Sequence, residues 1–362
     1  MFMDSRREFR EKGRKETLMR PTTKDLAKAA GVSLATVDRV LNDRTGVRED
    51  TVKRVSEAIE RIGFSRNISA ANLARSRSYR FLFLLPRSGD QFLAELLARI
   101  AEADLGFAAE ATRAEVAQIH ESDPHQIANF LGALNPDLVD GVAIMAPESP
   151  QVRDAKARLV QRGIEAVSFI SGQMISGVGL GGEDFVGIDN HAAGATAGRL
   201  MGRFSDRSPG KILVVAETMR SRDSLERRLG FDEVMNADYP HLTVLPSLET
   251  RGEPERTDQI LRSTFARNPD ISGVYILSSE ARVPLQTVTQ LMATGHRLVI
   301  AHERTPFTEA ALLARQIDAL ITQDPGHLVR SAIRILRARC DRREVLASQE
   351  KIRIEILIAE NL

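Results

Sequence analysis

From residue 79 onward the chain alternates short apolar runs with segments of helical periodicity, and this alternation limits the folds open to it. The apolar runs are continuous and are bounded by residues typical of turns. Continuous runs of this kind are typical of parallel strands that are buried on both faces. We therefore predict strands at 81–85, 141–145, 166–170, 185–188, 211–216, 273–277, 298–301 and 319–321.

Between these runs, apolar residues recur at helical spacing, which predicts helices. The predicted helices cover residues 92–102, 151–162, 192–204, 224–237, 284–294, 309–314 and 325–339. A repeated strand–helix order predicts an α/β fold with doubly wound parallel sheets. The span of roughly 280 residues exceeds what one such core contains, so we predict two lobes with a cleft. An alternating segment at Ile352–Ile356 predicts an edge strand that ends the body.

The segment before the body has the pattern of a compact three-helix unit. Thr22 and Asp25 have the spacing of a capping box, and the helix that they begin should stop at Gly31. Ser33 is a candidate cap for a second helix over residues 34–41. A third helix begins near residue 49 and ends at Gly63. Two short helices joined by a tight turn, with a third packed across them, form a helix-turn-helix arrangement.

These patterns divide the chain into four parts. We predict a disordered basic arm at 1–20, the helical head at 21–65, a connector at 66–78 and the two-lobed body at 79–362. The connector is too short and too polar to form a stable helix alone in water.

Charge is distributed unevenly between these parts. Residues 1–80 carry a net charge of +8 and the remainder carries −7, although the whole chain has a net charge of only +1. A basic head on an acidic body indicates that the head meets a polyanion. The single cysteine excludes an intramolecular disulfide framework. We find no apolar stretch long enough to span a membrane and no secretory signal, so we expect a cytoplasmic, nucleoid-associated protein.

The second helix of the head is suited to reading DNA. It begins with small residues that allow a close approach to base edges, and Arg39 lies one turn further, where it could reach guanine. Basic residues around this helix are candidates for phosphate contacts. The alternative from the pattern alone is a small helical bundle with a solvated basic face.

Residues 22–42 read TTKDLAKAAGVSLATVDRVLN. This segment resembles the signature of the lactose-repressor family of bacterial transcription regulators, and the resemblance continues through the connector and the body. It implies that Leu34, Ala35 and Arg39 read bases in the major groove. Positions where the family contacts phosphates or caps helices correspond to Thr22, Ser33, Thr36, Asn42 and Thr51.

The same resemblance makes the connector a hinge helix. Asn67, Ala70 and Leu73 match the family's hinge, which pairs with its copy in the minor groove and wedges the leucine into a base step. A plain linker is the alternative. Two positions depart from the family: Asp38 replaces a frequent serine, and Arg48 replaces a small capping residue and could contact phosphate instead. Both departures affect which operator is read.

In a two-lobed body the ligand lies at the carboxyl ends of the strands. Polar residues gather there in this sequence, and such groups suit the hydroxyls of a sugar or polyol. The body also resembles periplasmic sugar-binding proteins, and that match places Arg227, Glu303 and Gln323 at the sugar hydroxyls. Further effector candidates are Ser88, Asp90, Phe92 (as a stacking partner), Ser171, Asn190, Arg222, Asp223 and Ser279.

Other chemistry finds less support in the sequence. The glycine-rich segment 177–182 precedes a strand, whereas a dinucleotide-binding loop follows one. We find no nucleophile–base–orienter set, no metal-ligand spacing and no cofactor motif, and therefore expect no enzyme, metal or cofactor. We predict a homodimeric repressor of double-stranded operator DNA that is controlled by a sugar or polyol. A sugar-binding module for transport is the main alternative, followed by a carbohydrate-active enzyme.

Overall fold

The computed structural model describes residues 21–41, 45–64, 78–120, 123–171, 185–291 and 298–362. The chain divides into two compact units, residues 1–77 and residues 78–362. Several predictions lie outside the described residues: the arm at 1–20, Asn42, nearly all of the connector with Asn67, Ala70 and Leu73, and the glycine-rich segment.

The head consists of three helices: α1 (Thr23–Ala30), α2 (Leu34–Leu41) and α3 (Glu49–Ile62). α1 and α3 each end at a glycine in the left-handed region, with φ of 64° at Gly31 and 62° at Gly63. A side chain would be strained there, so glycine fixes where each helix stops. The helices share one small core that includes Leu26, Val37 and Val55.

The first lobe of the body is a parallel sheet of order β2-β1-β3-β4-β5 among the described residues. Its strands are β1 (Tyr79–Pro86), β2 (Thr112–Ile119), β3 (Gly141–Ile144), β4 (Glu165–Phe169) and β5 (Phe185–Val186). Its helices are α4 (Gln91–Phe107), α5 (Pro124–Ala133) and α6 (Pro150–Gln161), with a 3₁₀ turn at Ala108–Glu110.

The second lobe is a larger sheet of order β12-β11-β10-β9-β6-β7, with β8 also paired to β6. Its strands are β6 (Gly210–Ala216), β7 (Leu242–Val244), β8 (Leu248–Glu249), β9 (Ile271–Ile276), β10 (Leu298–His302), β11 (Ala319–Thr322) and β12 (Glu355–Leu357). The remaining helices are α7 (Asn190–Phe204), α8 (Arg222–Asp238), α9 (Pro254–Arg267), α10 (Arg282–Leu291), α11 (Pro306–Leu313), α12 (Pro325–Cys340) and α13 (Ala347–Glu350).

The chain passes between the lobes at three places. β5 belongs to the first sheet, but the following helix α7 packs on β10 and β11 of the second. β11 belongs to the second sheet, but α12 returns to pack on α4, β3 and β4 of the first. The chain then returns to the second sheet as β12. Residues just after β5 and β11 therefore lie where the lobes join.

The predicted α/β class and most predicted elements are confirmed. β2, α5 and α9 were missed, as were the short elements β7, β8 and α13. β2 lies at an edge of its sheet and exposes charged side chains, so it lacks the continuous apolar run used to find strands. α5 and α9 each begin with a proline at the first turn and bury apolar residues four apart, a sparser signal. The predicted strand at Ile352–Ile356 is shifted: β12 covers Glu355–Leu357 and pairs antiparallel with β11.

Candidate functional sites: the helical head and the interlobe cleft

The starts of α1 and α2 are fixed by local hydrogen bonds. The side chain of Thr22 accepts from the backbone N–H of Asp25 at 3.3 Å, and the carboxylate of Asp25 accepts from the backbone N–H of Thr22 at 2.8 Å. Ser33 Oγ accepts from the N–H of Thr36 at 3.1 Å and lies 2.8 Å from its hydroxyl. Both helix starts are therefore capped, as the sequence predicted.

α2 presents the predicted base-reading residues to solvent. Val37 faces the core with 1 % of its surface exposed, whereas Leu34 is 50 % exposed. Ala35 and Arg39 are exposed as well. The residues predicted to read bases are therefore accessible on the surface of α2.

The remaining predicted contacts of the head surround this helix. Arg48 is exposed at the N-cap position of α3, where its guanidinium has no acceptor with which to cap the helix. Thr51 is partly buried in the first turn of α3. α3 is tied to α1 by Arg61, whose guanidinium donates to the carbonyl of Ala29 at 2.5 Å.

Replacing Thr22 by alanine should loosen α1. The variant loses the acceptor for the Asp25 N–H, and loss of an N-cap costs about 1 kcal/mol. Amide hydrogen exchange over residues 23–30 of the full chain should become faster. The matched control is Thr243→Ala, at an exposed position of β7, which should leave exchange in α1 unchanged. Unchanged protection of α1 in Thr22→Ala would contradict the capping role.

Four polar side chains from distant parts of the body meet where the two lobes join, at the position predicted for the interlobe cleft. The guanidinium of Arg227, on α8, donates to Asn190 Oδ1, the Leu277 carbonyl and Glu303 Oε1, each at 2.9 Å. Gln323 Nε2 donates to the same Glu303 oxygen at 3.2 Å. Each of these side chains is at least 95 % buried. The structure thus brings Arg227, Glu303, Gln323 and Asn190 into one hydrogen-bonded group.

The fold positions each member of this group. Asn190 begins α7 directly after the first crossover, and Gln323 follows β11 at the second. Arg227 is held by a close crossing of α7 and α8, where a Cβ on Gly194 would lie 1.8 Å from the Arg227 carbonyl oxygen. Glu303 follows β10 with φ of 64°, a left-handed conformation that costs a non-glycine residue energy. Such strain is characteristic of functional sites.

Several buried atoms at this site have no protein partner. Glu303 Oε2, Gln323 Oε1 and His302 Nδ1 are buried and make no hydrogen bond to any described residue. Burial raises the pKa of Glu303 against the opposing effect of Arg227. Buried polar atoms are almost always hydrogen-bonded, so these atoms indicate a ligand or water.

An aromatic layer lies beside the group. The hydroxyl of Tyr275 lies 2.7 Å from His302 Nε2, and the Tyr275 ring stacks on Phe231 at 4.6 Å between centroids. Burial, and then the charge of Arg227, lower the pKa of His302, which keeps it neutral. Tyr275 was not among the predicted site residues, because in the sequence it reads as one apolar residue of strand β9.

Two further effector candidates, which the sequence predicted separately, form a hydrogen bond that joins the two lobes. Ser279 of the second lobe donates to Asp90 Oδ2 of the first at 2.6 Å. The other Asp90 oxygen caps α4 by accepting from the N–H of Phe92 at 2.9 Å. The guanidinium of Arg282 donates to the Gly89 carbonyl across the same junction at 3.1 Å. Ser88 is exposed and accepts from the N–H of Asp90.

The other predicted effector residues are placed differently. Phe92 is buried in the main hydrophobic core. Arg222 pairs with Glu226 on its own helix at 2.7 Å, whereas Asp223 acts electrostatically on Arg227. Ser171 lines a separate cavity of about 320 Å³ in the first lobe, beside Lys156. The roles of these residues in effector binding remain predictions.

Among the described residues, no group of histidine, cysteine, aspartate or glutamate could hold a metal ion. Nor is any helix in that part of the chain long and apolar enough to cross a membrane.

Comparison with known proteins identifies both units. Residues 81–344 match the family described as periplasmic binding protein domain, and residues 22–67 match the bacterial regulatory proteins of the lacI family. The HTH-type transcriptional regulator RegA of Clostridium saccharobutylicum is 35 % identical over 151 residues, which cover 39 % of this chain and 41 % of RegA. The catabolite control protein A of Priestia megaterium is 32 % identical over 128 residues, which cover 35 % of this chain and 37 % of that protein. These matches thus span about two fifths of each relative's length.

Solved structures share the fold of the body. A putative LacI transcriptional regulator from Bacteroides fragilis has a TM-score of 0.67 at 19 % identity, covering 79 % of this chain and 98 % of the other. A solute-binding protein of an ABC transporter from Burkholderia graminis, in complex with D-arabinose, has a TM-score of 0.66 at 20 % identity. The match covers 78 % of this chain and 96 % of the other. The chain therefore belongs to the periplasmic-binding-protein domain family over residues 81–344 and joins that domain to the DNA-binding segment of the bacterial lacI regulatory family.

Proposed function

We propose that this protein is a sequence-specific transcription regulator, a repressor acting as a homodimer on operator DNA in the cytoplasm. A sugar or polyol bound between the lobes of the body controls its affinity for the operator. The observation that carries the proposal is the presence in one chain of a lacI-type head and an interlobe group of buried, unsatisfied acceptors.

The head supports the DNA-reading part of this proposal. Leu34 and Arg39 lie exposed on one short helix, which is anchored to the core of the head by the buried Val37. Arginine can donate two parallel hydrogen bonds to guanine in the major groove. Arg48 at the start of α3 supplies a charge for the phosphate backbone. Two such heads on a two-fold dimer require a pseudo-palindromic operator.

The cleft supports the effector part. Arg227 has used three of its five N–H donors within the protein, so two remain for a ligand. Glu303 Oε2 and Gln323 Oε1 supply free acceptors beside them. A hydroxyl accepts one hydrogen bond and donates another, so donors next to acceptors suit a polyhydroxylated molecule.

The order of elements along the chain suggests how effector binding in the body changes DNA binding by the head. The body begins with β1, which belongs to the first lobe, and the connector to the head immediately precedes it. A ligand that binds one angle between the lobes better than another shifts the protein toward that angle. In a dimer, a change in the angle between the lobes would change the separation of the two connectors. The coupling between the two sites is reciprocal, so operator binding alters the affinity for the effector by the same factor.

The test is a fluorescence-anisotropy titration with the DNA upstream of the protein's own coding region, with and without a panel of sugars and polyols. We expect binding that weakens steeply with salt and that one compound shifts at least tenfold. Replacing Arg39 by alanine should cost about 1–3 kcal/mol on the operator with an unchanged salt slope, because it removes a base contact. Replacing Arg48 should reduce the salt slope by about 1, because it removes a phosphate contact.

The matched control is Arg158→Ala, an exposed arginine of α6 paired with Asp154, which should leave DNA affinity unchanged. Equal operator affinity in Arg39→Ala would contradict the base-reading role. Sugar binding without DNA binding would instead support a transport module. Specific DNA binding that no compound alters would contradict the proposed effector class.

A further inference from the structure

A short segment of the first lobe, residues 89–91 at the start of α4, is bonded to the second lobe. Among the described residues, three hydrogen bonds cross this junction: from the Ser279 hydroxyl to Asp90 Oδ2 at 2.6 Å, from the Arg282 guanidinium to the Gly89 carbonyl at 3.1 Å, and from the Phe307 N–H to Gln91 Oε1 at 3.3 Å. Donor and acceptor both belong to the chain in each bond. The protein itself therefore contributes to holding its two lobes together.

The bond between Ser279 and Asp90 should contribute most to this junction. Its acceptor is a carboxylate, and hydrogen bonds to charged groups are stronger than neutral ones. The second oxygen of Asp90 accepts from the N–H of Phe92 at 2.9 Å, which fixes the orientation of the carboxylate. Asp90 and Ser279 are both partly buried, so loss of the hydroxyl would leave Asp90 short of a donor while the lobes are together. Water supplies that donor once the lobes separate.

The backbone N–H of Phe307 reports on the same junction. Phe307 lies in the first turn of α11, where a backbone N–H has no acceptor within the helix, so Gln91 of the other lobe supplies one. The next N–H along the chain, that of Thr308, donates instead to the side chain of Thr305 at 3.2 Å, within the second lobe. Separation of the lobes therefore frees the first of these neighbouring amides and leaves the second bonded.

The junction lies next to the buried polar group. Ser279 follows Leu277, whose carbonyl accepts from Arg227, by two residues, which span at most about 7 Å between Cα atoms. Phe307 follows Glu303 by four residues. The four side chains of the polar group are each at least 95 % buried. A ligand therefore reaches them only when the lobes move apart.

We propose that the three bonds made by residues 89–91 form a latch that controls access of a ligand to the buried group around Arg227. Asp90 and Ser279 act in this latch as positioning residues, since their bond holds the two lobes together. A weaker latch raises the fraction of chains whose lobes are open, and so speeds both entry and release of a ligand. This inference rests on the proposed function, because the group behind the latch is the proposed effector site.

The test is amide hydrogen exchange of the full chain, resolved to single residues by mass spectrometry and carried out without effector or DNA. In the wild type, the N–H of Phe307 should exchange at least tenfold more slowly than an unprotected amide. Ser279→Ala should speed that exchange about tenfold, because the amide exchanges from the open arrangement and the lost bond is to a charged group. The N–H of Thr308 should exchange at its wild-type rate in both proteins.

A second variant and a matched control locate the effect. Arg282→Gln removes the bond to the Gly89 carbonyl, and should speed exchange at Phe307 about threefold because this acceptor is neutral. The matched control is Ser272→Ala, whose hydroxyl donates to the Lys211 carbonyl within the second lobe at 3.4 Å. It should leave exchange at Phe307 unchanged.

Three results would overturn the latch. They are a wild-type Phe307 N–H that is not protected, exchange at Phe307 that Ser279→Ala leaves unchanged, and exchange that becomes faster at Phe307 and Thr308 together. The last result would mean that α11 frays by itself. Because the experiment uses neither effector nor operator, each of these results would leave the proposed function standing. Failure of the sugar panel would likewise overturn the effector class without altering the exchange results.

Discussion

Replacing Arg227 by methionine should lower the free energy of unfolding of the body by about 3–5 kcal/mol, because it leaves the carboxylate of Glu303 buried without its ion partner. The side chains of this pair are only 5 % and 2 % exposed, so water cannot take over the lost interaction. Urea unfolding followed by circular dichroism measures the loss. The matched control is Arg158→Met, whose ion pair is more than half exposed and should contribute little.

The loss in Arg227→Met should also depend on pH. Burial already raises the pKa of Glu303, and removing the guanidinium raises it further. A carboxyl that holds its proton more tightly when folded than when unfolded makes stability fall as pH rises. The loss in free energy of unfolding caused by Arg227→Met should therefore be larger at pH 8 than at pH 5. Adding Glu303→Gln should recover part of the stability and remove this pH dependence, whereas a pH-independent deficit would contradict a buried carboxylate as its cause.

Replacing Gly194 by alanine should destabilise the body by about 3 kcal/mol, at the upper end of overpacking costs. The new Cβ would lie 1.8 Å from the carbonyl oxygen of Arg227, so α7 and α8 must separate. An added Cβ on Gly230 of α8 would likewise lie 2.0 Å from the carbonyl oxygen of His191 in α7. Neither helix therefore has space for a side chain at this crossing. Because Arg227 sits on α8 at this crossing, effector affinity should fall at least tenfold as well.

The control for this crossing is Gly132→Ala, in α5, where an added Cβ meets nothing within 4 Å. It should be neutral or stabilising by up to about 1 kcal/mol, because alanine favours helix over glycine. Thermal unfolding and titration with the effector measure both variants. Wild-type stability in Gly194→Ala would show that the helices can separate without cost, and would contradict the role of the small residues in α7.

Local patterns in the sequence determined the fold class of the body and the positions at which the helices of the head begin and end. Continuous apolar runs indicate strands buried on both faces, and most predicted strands and helices are present. The spacing of Thr22 and Asp25, and the glycines at 31 and 63, fixed where helices begin and end, because caps act within one turn. The resemblance of the sequence to periplasmic sugar-binding proteins was also sufficient to predict one shared site for Arg227, Glu303 and Gln323.

Only the tertiary structure decided how these residues interact. Arg227 and Glu303 are 76 residues apart and meet because α7 crosses between the lobes and α8 packs tightly upon it. The left-handed backbone of Glu303, the contact of Tyr275 with His302 and the approach of Asp90 from the other lobe leave no periodic signal. Local sequence sets the local backbone and the burial pattern, whereas pairings between distant elements depend on how complete helices and sheets pack.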